Sequence, residues 1–162
     1  MSDDAELADL IEQLVDQQSR LQFTRFTNDD AWELGSLLVR LGRERELVLT
    51  VDIRRHGHQL FHAALAGTTP DNDSWVERKI AVVNRFGESS YLVGRRLAQK
   101  GRTLDEASGI EPIRYAAHGG CFPIIVRDVG PVGTVTVSGL PQAQDHALVV
   151  EALETFLQIA RT

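Results

Sequence analysis

The chain has 162 residues, 43% hydrophobic and 25% charged, with a formal net charge of −6 and one cysteine. That length builds one domain with a full core, and no apolar run approaches the roughly 20 residues needed to cross a bilayer. The acidic balance excludes the basic stripe that nucleic-acid phosphates require, and a lone Cys121 excludes an intramolecular disulfide or a CxxC metal site.

The acidic opening MSDDAELADL lacks the positive charge of a secretory signal, so a cytoplasmic location is expected. Residues 4–17 place Leu7, Leu10, Ile11, Leu14 and Val15 at helical spacing. Thr27 or Asn28 can cap a second helix carrying Trp32, Leu34, Leu37, Leu38 and Leu41, with Trp32 in the core and Gly42 as the stop. ELVLTVDIRR (46–55) alternates as a strand, and HGHQLFHAAL (56–65) returns antiparallel to it through a His56-Gly57 turn. GTTPDNDS breaks the sheet, and Asp71 or Asn72 starts a helix with Trp75, Val76, Ile80, Val83 and Phe86 apolar. A further helix covers Ser90 to Lys100, Thr103 can cap a short turn, and IRYAA (113–117) is expected as a strand.

A hairpin follows at the expected centre of the sheet. Ile124 and Val126 alternate on one strand, Val132, Thr134 and Thr136 on the other, with Val135 and Val137 on the opposite face and Gly130-Pro131 as the turn. The last helix runs from about Gln144 to Ile159. This order predicts an α+β domain spanning 1–162, with an antiparallel sheet of about five strands and flanking helices.

The most site-like cluster is His118-Gly119-Gly120-Cys121, where an imidazole able to ligate iron or carry protons stands beside glycines that clear space for a ligand. Local turn hydrogen bonding by His118 and burial of Cys121 as a small hydrophobe are the structural alternatives. Arg54 and Arg78 offer bidentate anchors for a carboxylate, unless they pair with acids such as Asp52 or Asp71. His56, His58 and His62 share a strand face if no bulge intervenes, without the spacing of a known metal motif. Ser138, Asp145 and His146 suggest a hydrolase triad, but no G-x-S-x-G elbow is present and Asp145 is explained by capping the final helix. GTTPDN likewise lacks the lysine of a phosphate loop and is read as a turn and cap.

Gly119-Gly120, Pro123-Ile124, Gly130, Val132-Gly133, Val137-Ser138-Gly139 and Asp145 resemble the signature of the haem-degrading domain family, which includes HbpS-like and GlcG-like proteins. Ala31-Trp32-Glu33-Leu34-Gly35, Asp52-Ile53-Arg54, Gly67 to Asn72, Trp75, Arg78-Lys79, Ser89-Ser90-Tyr91 and Tyr115 to His118 resemble a cytoplasmic branch of it. The resemblance implies a profilin-like or PAS-like sheet and assembly into closed homo-oligomers. The expected function is binding of a small anionic ligand, an organic acid or haem, by His118, Gly119, Gly120, Cys121, Arg54, Arg78 and Ser138, with no catalytic residue assigned. The alternative is a non-enzymatic structural or interaction module whose oligomer surface is functional. Neither nucleic acid nor a membrane is expected as a partner.

Overall fold

The computed structural model describes residues 2–104 and 109–158. Ser2 accepts a hydrogen bond from the Ala5 amide and starts α1 (Asp3–Arg20), whose first turn places Asp3, Asp4 and Glu6 favourably against the helix dipole. Thr27 and Asp30 close a reciprocal capping box at the head of α2 (Asn28–Glu44). Gly42 is not the stop. It lies inside α2, where a Cβ would stand 2.7 Å from Leu65 Cδ1, so its role is close packing.

β1 (Thr50–Arg55) and β2 (His58–Ala64) form the expected hairpin, both shorter than the alternating pattern. α3 (Pro70–Phe86) begins earlier than expected, because Pro70 is preorganised for the first helical position and Thr69 is the cap. The Thr69 amide donates to Asn72 Oδ1 at 2.9 Å. α4 (Ser90–Gln99) is capped by the Ser89 hydroxyl. The turn expected after Thr103 runs into residues 105–108, which lie outside the described residues, as does Ile159.

β3 (Cys121–Val126) and β4 (Gly130–Ser138) complete a four-stranded antiparallel sheet of order β2-β1-β4-β3. The fifth strand expected at 113–117 is a 3-10 turn, Pro112–Arg114, followed by an extended segment. The backbone there bonds to a helix instead of the sheet: the Ala116 amide donates to Arg78 O at 3.0 Å. The hairpin turns at Arg127 to Val129, with Asp128 at φ 66, so Gly130 and Pro131 already belong to β4. β4 is central and β3 lies at the edge, where Phe23 extends the ladder through Phe23 N–H to Ile125 O and Arg127 N–H to Phe23 O, each 2.8 Å.

The two faces of the sheet differ in chemistry. Val51, Ile53, Phe122, Ile124, Val135 and Val137 pack against Ala31, Leu34 and Leu38 of α2 and Leu148, Val149, Ala152 and Leu153 of α5 (Gln142–Phe156). Trp32 stands one position off the buried stripe of α2 and is 65% exposed, against the expectation of a core residue; its ring meets Phe61 edge-on. The opposite face presents Thr50, Asp52, Thr134, Thr136 and Ser138, all buried. α3 covers this polar face with a small apolar contact, Val76, Ile80 and Val83 against Cys121.

α1 lies on α4, and its Gln17 reaches α5. His146 Nε2 is 2.8 Å from Gln17 Oε1, and the imidazole is packed against the rings of Tyr91 and Phe122. Burial pushes its pKa down to about 4. As pH falls through 6.5 the unfolded chain takes up a proton at this position and the folded chain does not, so stability is full above 6.5 and is lost towards 4. Denaturant titrations are expected to show His146 costing about 2 kcal/mol between pH 7 and pH 5. His146→Leu is expected to remove that part of the pH dependence; a variant with the wild-type slope would exclude His146 as its source.

Candidate functional site

Thr69 and Pro70 set the start of α3 so that Asp71, Asn72, Trp75 and Lys79, spaced by one, three and four residues, fall on adjoining positions of one helical flank. Opposite them the end of β4 continues as Ser138-Gly139-Leu140 into α5, which contributes Gln142 and Asp145. His118 arrives from the segment before β3. These ten residues line a cleft of about 280 Å³.

The back of the cleft can form only because two residues lack a Cβ. Gly120 has φ 137, and a Cβ there would stand 2.5 Å from Val137 O and 2.6 Å from Lys79 Nζ. A Cβ on Gly119 would collide with the Gln142 carbonyl; the Gly119 amide instead donates to Gln142 Oε1 at 3.1 Å.

Lys79 and Asp145 form the floor. They are 3% and 1% exposed, yet the Lys79 ammonium donates to Asp145 Oδ2 at 3.0 Å and to Val137 O at 3.1 Å. Asp145 Oδ1 accepts from the Leu140 amide at 3.0 Å. Burial pushes the Asp145 carboxyl up from its ordinary value, and the adjacent ammonium pulls it back. At the mouth, partial burial lowers the pKa of His118, and the charges of Lys79, Arg78 and Arg95 lower it further, so the imidazole is neutral at pH 7. Its ring centre is 5.4 Å from that of Trp75, over which the Arg78 guanidinium lies at 4.6 Å.

Of the residues expected at a site, His118 and Ser138 line the cleft and Gly119 and Gly120 form its back. Arg78 is adjacent, behind Trp75. Cys121 points into the sheet interior: it is fully buried, the Thr136 hydroxyl donates to Sγ at 3.1 Å, and burial pushes the thiol up to about 12. Arg54 is not brought to the cleft. It pairs with Asp52, as the structural alternative had it, and with Glu77, and its pKa is raised by these acids.

The histidines of the first hairpin are separated. A bulge in the β1–β2 register between Ile53 and Arg54 leaves His62 opposite Asp52 and His58 opposite Arg55, and His56 sits in the turn at φ 51. His62 Nδ1 is 2.9 Å from Asp52 Oδ2, with Nε2 3.2 Å from Asp73. No triad assembles, since His146 is directed to Gln17 and Asp145 to Lys79. Among the described residues no group of three or more His, Cys, Asp or Glu is arranged to hold a metal.

Sequence reading did not assign Lys79, Asn72, Trp75 or Gln142 to a site. Lys79 had a signal, as a charged residue inside the apolar stripe Val76, Ile80, Val83. Its partner Asp145 lies 66 residues away, beyond any local pattern.

Comparison with known proteins places the chain. The family model for the haem-degrading protein HbpS-like family matches residues 26–154. The UPF0303 protein SCO2848 of Streptomyces coelicolor is 60% identical over 153 residues, covering 94% of this chain and 97% of the relative. The crystal structure of the Ybr137w protein superposes with a TM-score of 0.83 at 34% identity, covering 91% of this chain and 87% of that one. That of the PduOC:heme complex does so at 0.64 and 17% identity, covering 79% and 92%, a likeness of fold. The chain therefore belongs to the HbpS-like haem-degrading family, among its UPF0303 members.

Proposed function

We propose that this is a single-domain, cytoplasmic binding protein, working as a homo-oligomer, that holds a small anionic ligand in the cleft between α3 and α5. The observation that carries the reading is the Lys79–Asp145 pair, buried beneath an open polar cleft where folding alone gains little from it. The donors around it supply the anion preference. Asn72 Oδ1 accepts from the Thr69 amide and Gln142 Oε1 from the Gly119 amide, so each side chain keeps its NH2 for a ligand. Lys79 uses two of its three N–H groups on protein acceptors. Asp71, exposed at the rim, is placed to accept from a ligand hydroxyl or amine.

Haem is the second reading, favoured by the family and by the neutral imidazole of His118. His118 fits an iron ligand. The cleft does not fit the macrocycle, since about 280 Å³ falls below the roughly 300–1,000 Å³ of pockets that enclose drug-sized molecules, and only Trp75 and Leu140 of its lining are large apolar residues. A porphyrin would stand outside it. Homo-oligomerisation is supported by the exposed β2 edge and the exposed Trp32 beside it, features that a lone chain leaves in water.

Calorimetric titration with glycolate, oxalate and succinate, read beside light scattering, is expected to give saturable binding of at least one of them at one per chain on a species larger than the 18.0 kDa monomer. His118→Ala and Gln142→Ala are expected to weaken it about tenfold or more, the loss of one charge-assisted hydrogen bond. Val137→Ala removes core methyl groups on the opposite sheet face and should cost about 1 to 3 kcal/mol of stability with affinity unchanged. Affinity indifferent to His118 and Gln142, or no uptake of any probe, would favour the interaction-module alternative.

Haemin gives the second check. A saturable Soret shift at one equivalent, lost in His118→Ala, supports haem ligation; linear uptake that is the same in both proteins excludes it.

A further inference from the structure

Arg78 belongs to the boundary between the cleft and a second recess, of about 400 Å³, lined by Ser74, Glu77, Arg78, Ala81, Arg114 and Tyr115. Its charge is unbalanced. Glu77, the one acid among the described residues of the lining, is occupied by Arg54, which grips both of its carboxylate oxygens. Arg114 is exposed and has no carboxylate partner among the described residues. Arg78 meets the carbonyls of Tyr115 and Pro112 at 3.4 and 3.5 Å, the long limit of a hydrogen bond, and its Nε is buried with no partner. In a chain of net charge −6, two guanidinium groups line one recess whose described acid is already paired.

We propose that this recess is an oxyanion subsite that takes a doubly charged phosphoryl group between Arg78 and Arg114. One guanidinium fork satisfies a carboxylate; two, with the Ser74 hydroxyl in the same lining, match the charge and the additional oxygens of a phosphate dianion. The Arg78 Nη2 contacts to Tyr115 O and Pro112 O are long enough for an anion's oxygens to replace them. The subsite uses none of the cleft's donors, so it stands apart from the reading of the cleft.

The test is calorimetry with inorganic phosphate, phenyl phosphate and acetate at constant ionic strength. Phosphate is expected to bind saturably at one per chain, with acetate at least tenfold weaker. Arg114→Gln, an exposed change that leaves the fold intact, is expected to weaken phosphate about tenfold or more. Arg78→Lys, which keeps the charge and loses the fork, should weaken it as well. Phenyl phosphate binding more tightly than phosphate assigns the group to an ester, the reverse assigns free phosphate, and both support the subsite. Phosphate affinity unchanged by Arg114→Gln, absence of saturable binding, or equal binding of acetate would overturn it. So would a loss confined to His118→Ala, which would move phosphate to the cleft. Failure of the carboxylate titration leaves these outcomes untouched.

Discussion

The buried ion pair of Lys79 and Asp145 is the contact around which the polar half of the molecule is arranged. It ties the middle of α3 to the end of β4 through Val137 O and to the first turns of α5 through Asp145. Moving two charges out of water costs several kcal/mol each, and their attraction offsets this only with good geometry and every remaining atom satisfied. That requirement accounts for the surroundings. Gly120 is glycine so that the ammonium can pass, and Asp145 accepts from the Leu140 amide so that its second oxygen is not orphaned. An apolar pair would hold the same elements together at less risk, so the charges are best understood by what they present to the cleft above them.

Stability and recognition are separated by the sheet. On one face α2 and α5 bury a continuous apolar cluster that includes Val51, Ile53, Val135 and Val137 of the two central strands. On the other, α3 adds to its buried Val76, Ile80, Val82 and Val83 a set of polar contacts, Glu77 with Arg54, Asp73 with His62, and Lys79 with Asp145. Asp52, wholly buried, is kept tolerable by bonds from Arg54, Gln59 and His62. Both the cleft and the arginine recess lie along α3.

Most of the fold was legible because it is local. Helical periodicity found α1 to α5, and alternation put Val135 and Val137 on one face of β4 and Thr134 and Thr136 on the other. The misreadings came from tertiary choices. IRYAA has strand-like residues, but its Ala116 amide is claimed by Arg78 O on α3. Trp32 is apolar, yet Ala31, Leu34 and Leu38 already take the buried stripe. One bulge dispersed the three histidines. At the site, the glycines and His118 were readable as a loop that makes room, whereas the lysine beneath them meets its acid only after the chain has closed through β4.

The central claim is that this pair is retained for the cleft and not for the fold. The direct measurement is a double-mutant cycle of Lys79→Met and Asp145→Asn, reading denaturant stability and carboxylate affinity together. Each single change strands a buried charge and is predicted to cost about 3 to 5 kcal/mol. The double variant removes both charges, while the introduced carboxamide keeps an acceptor for the Leu140 amide. It is predicted to recover most of that stability and to bind no carboxylate. A double variant that stays as unstable as the singles, or that binds as wild type does, would contradict the account.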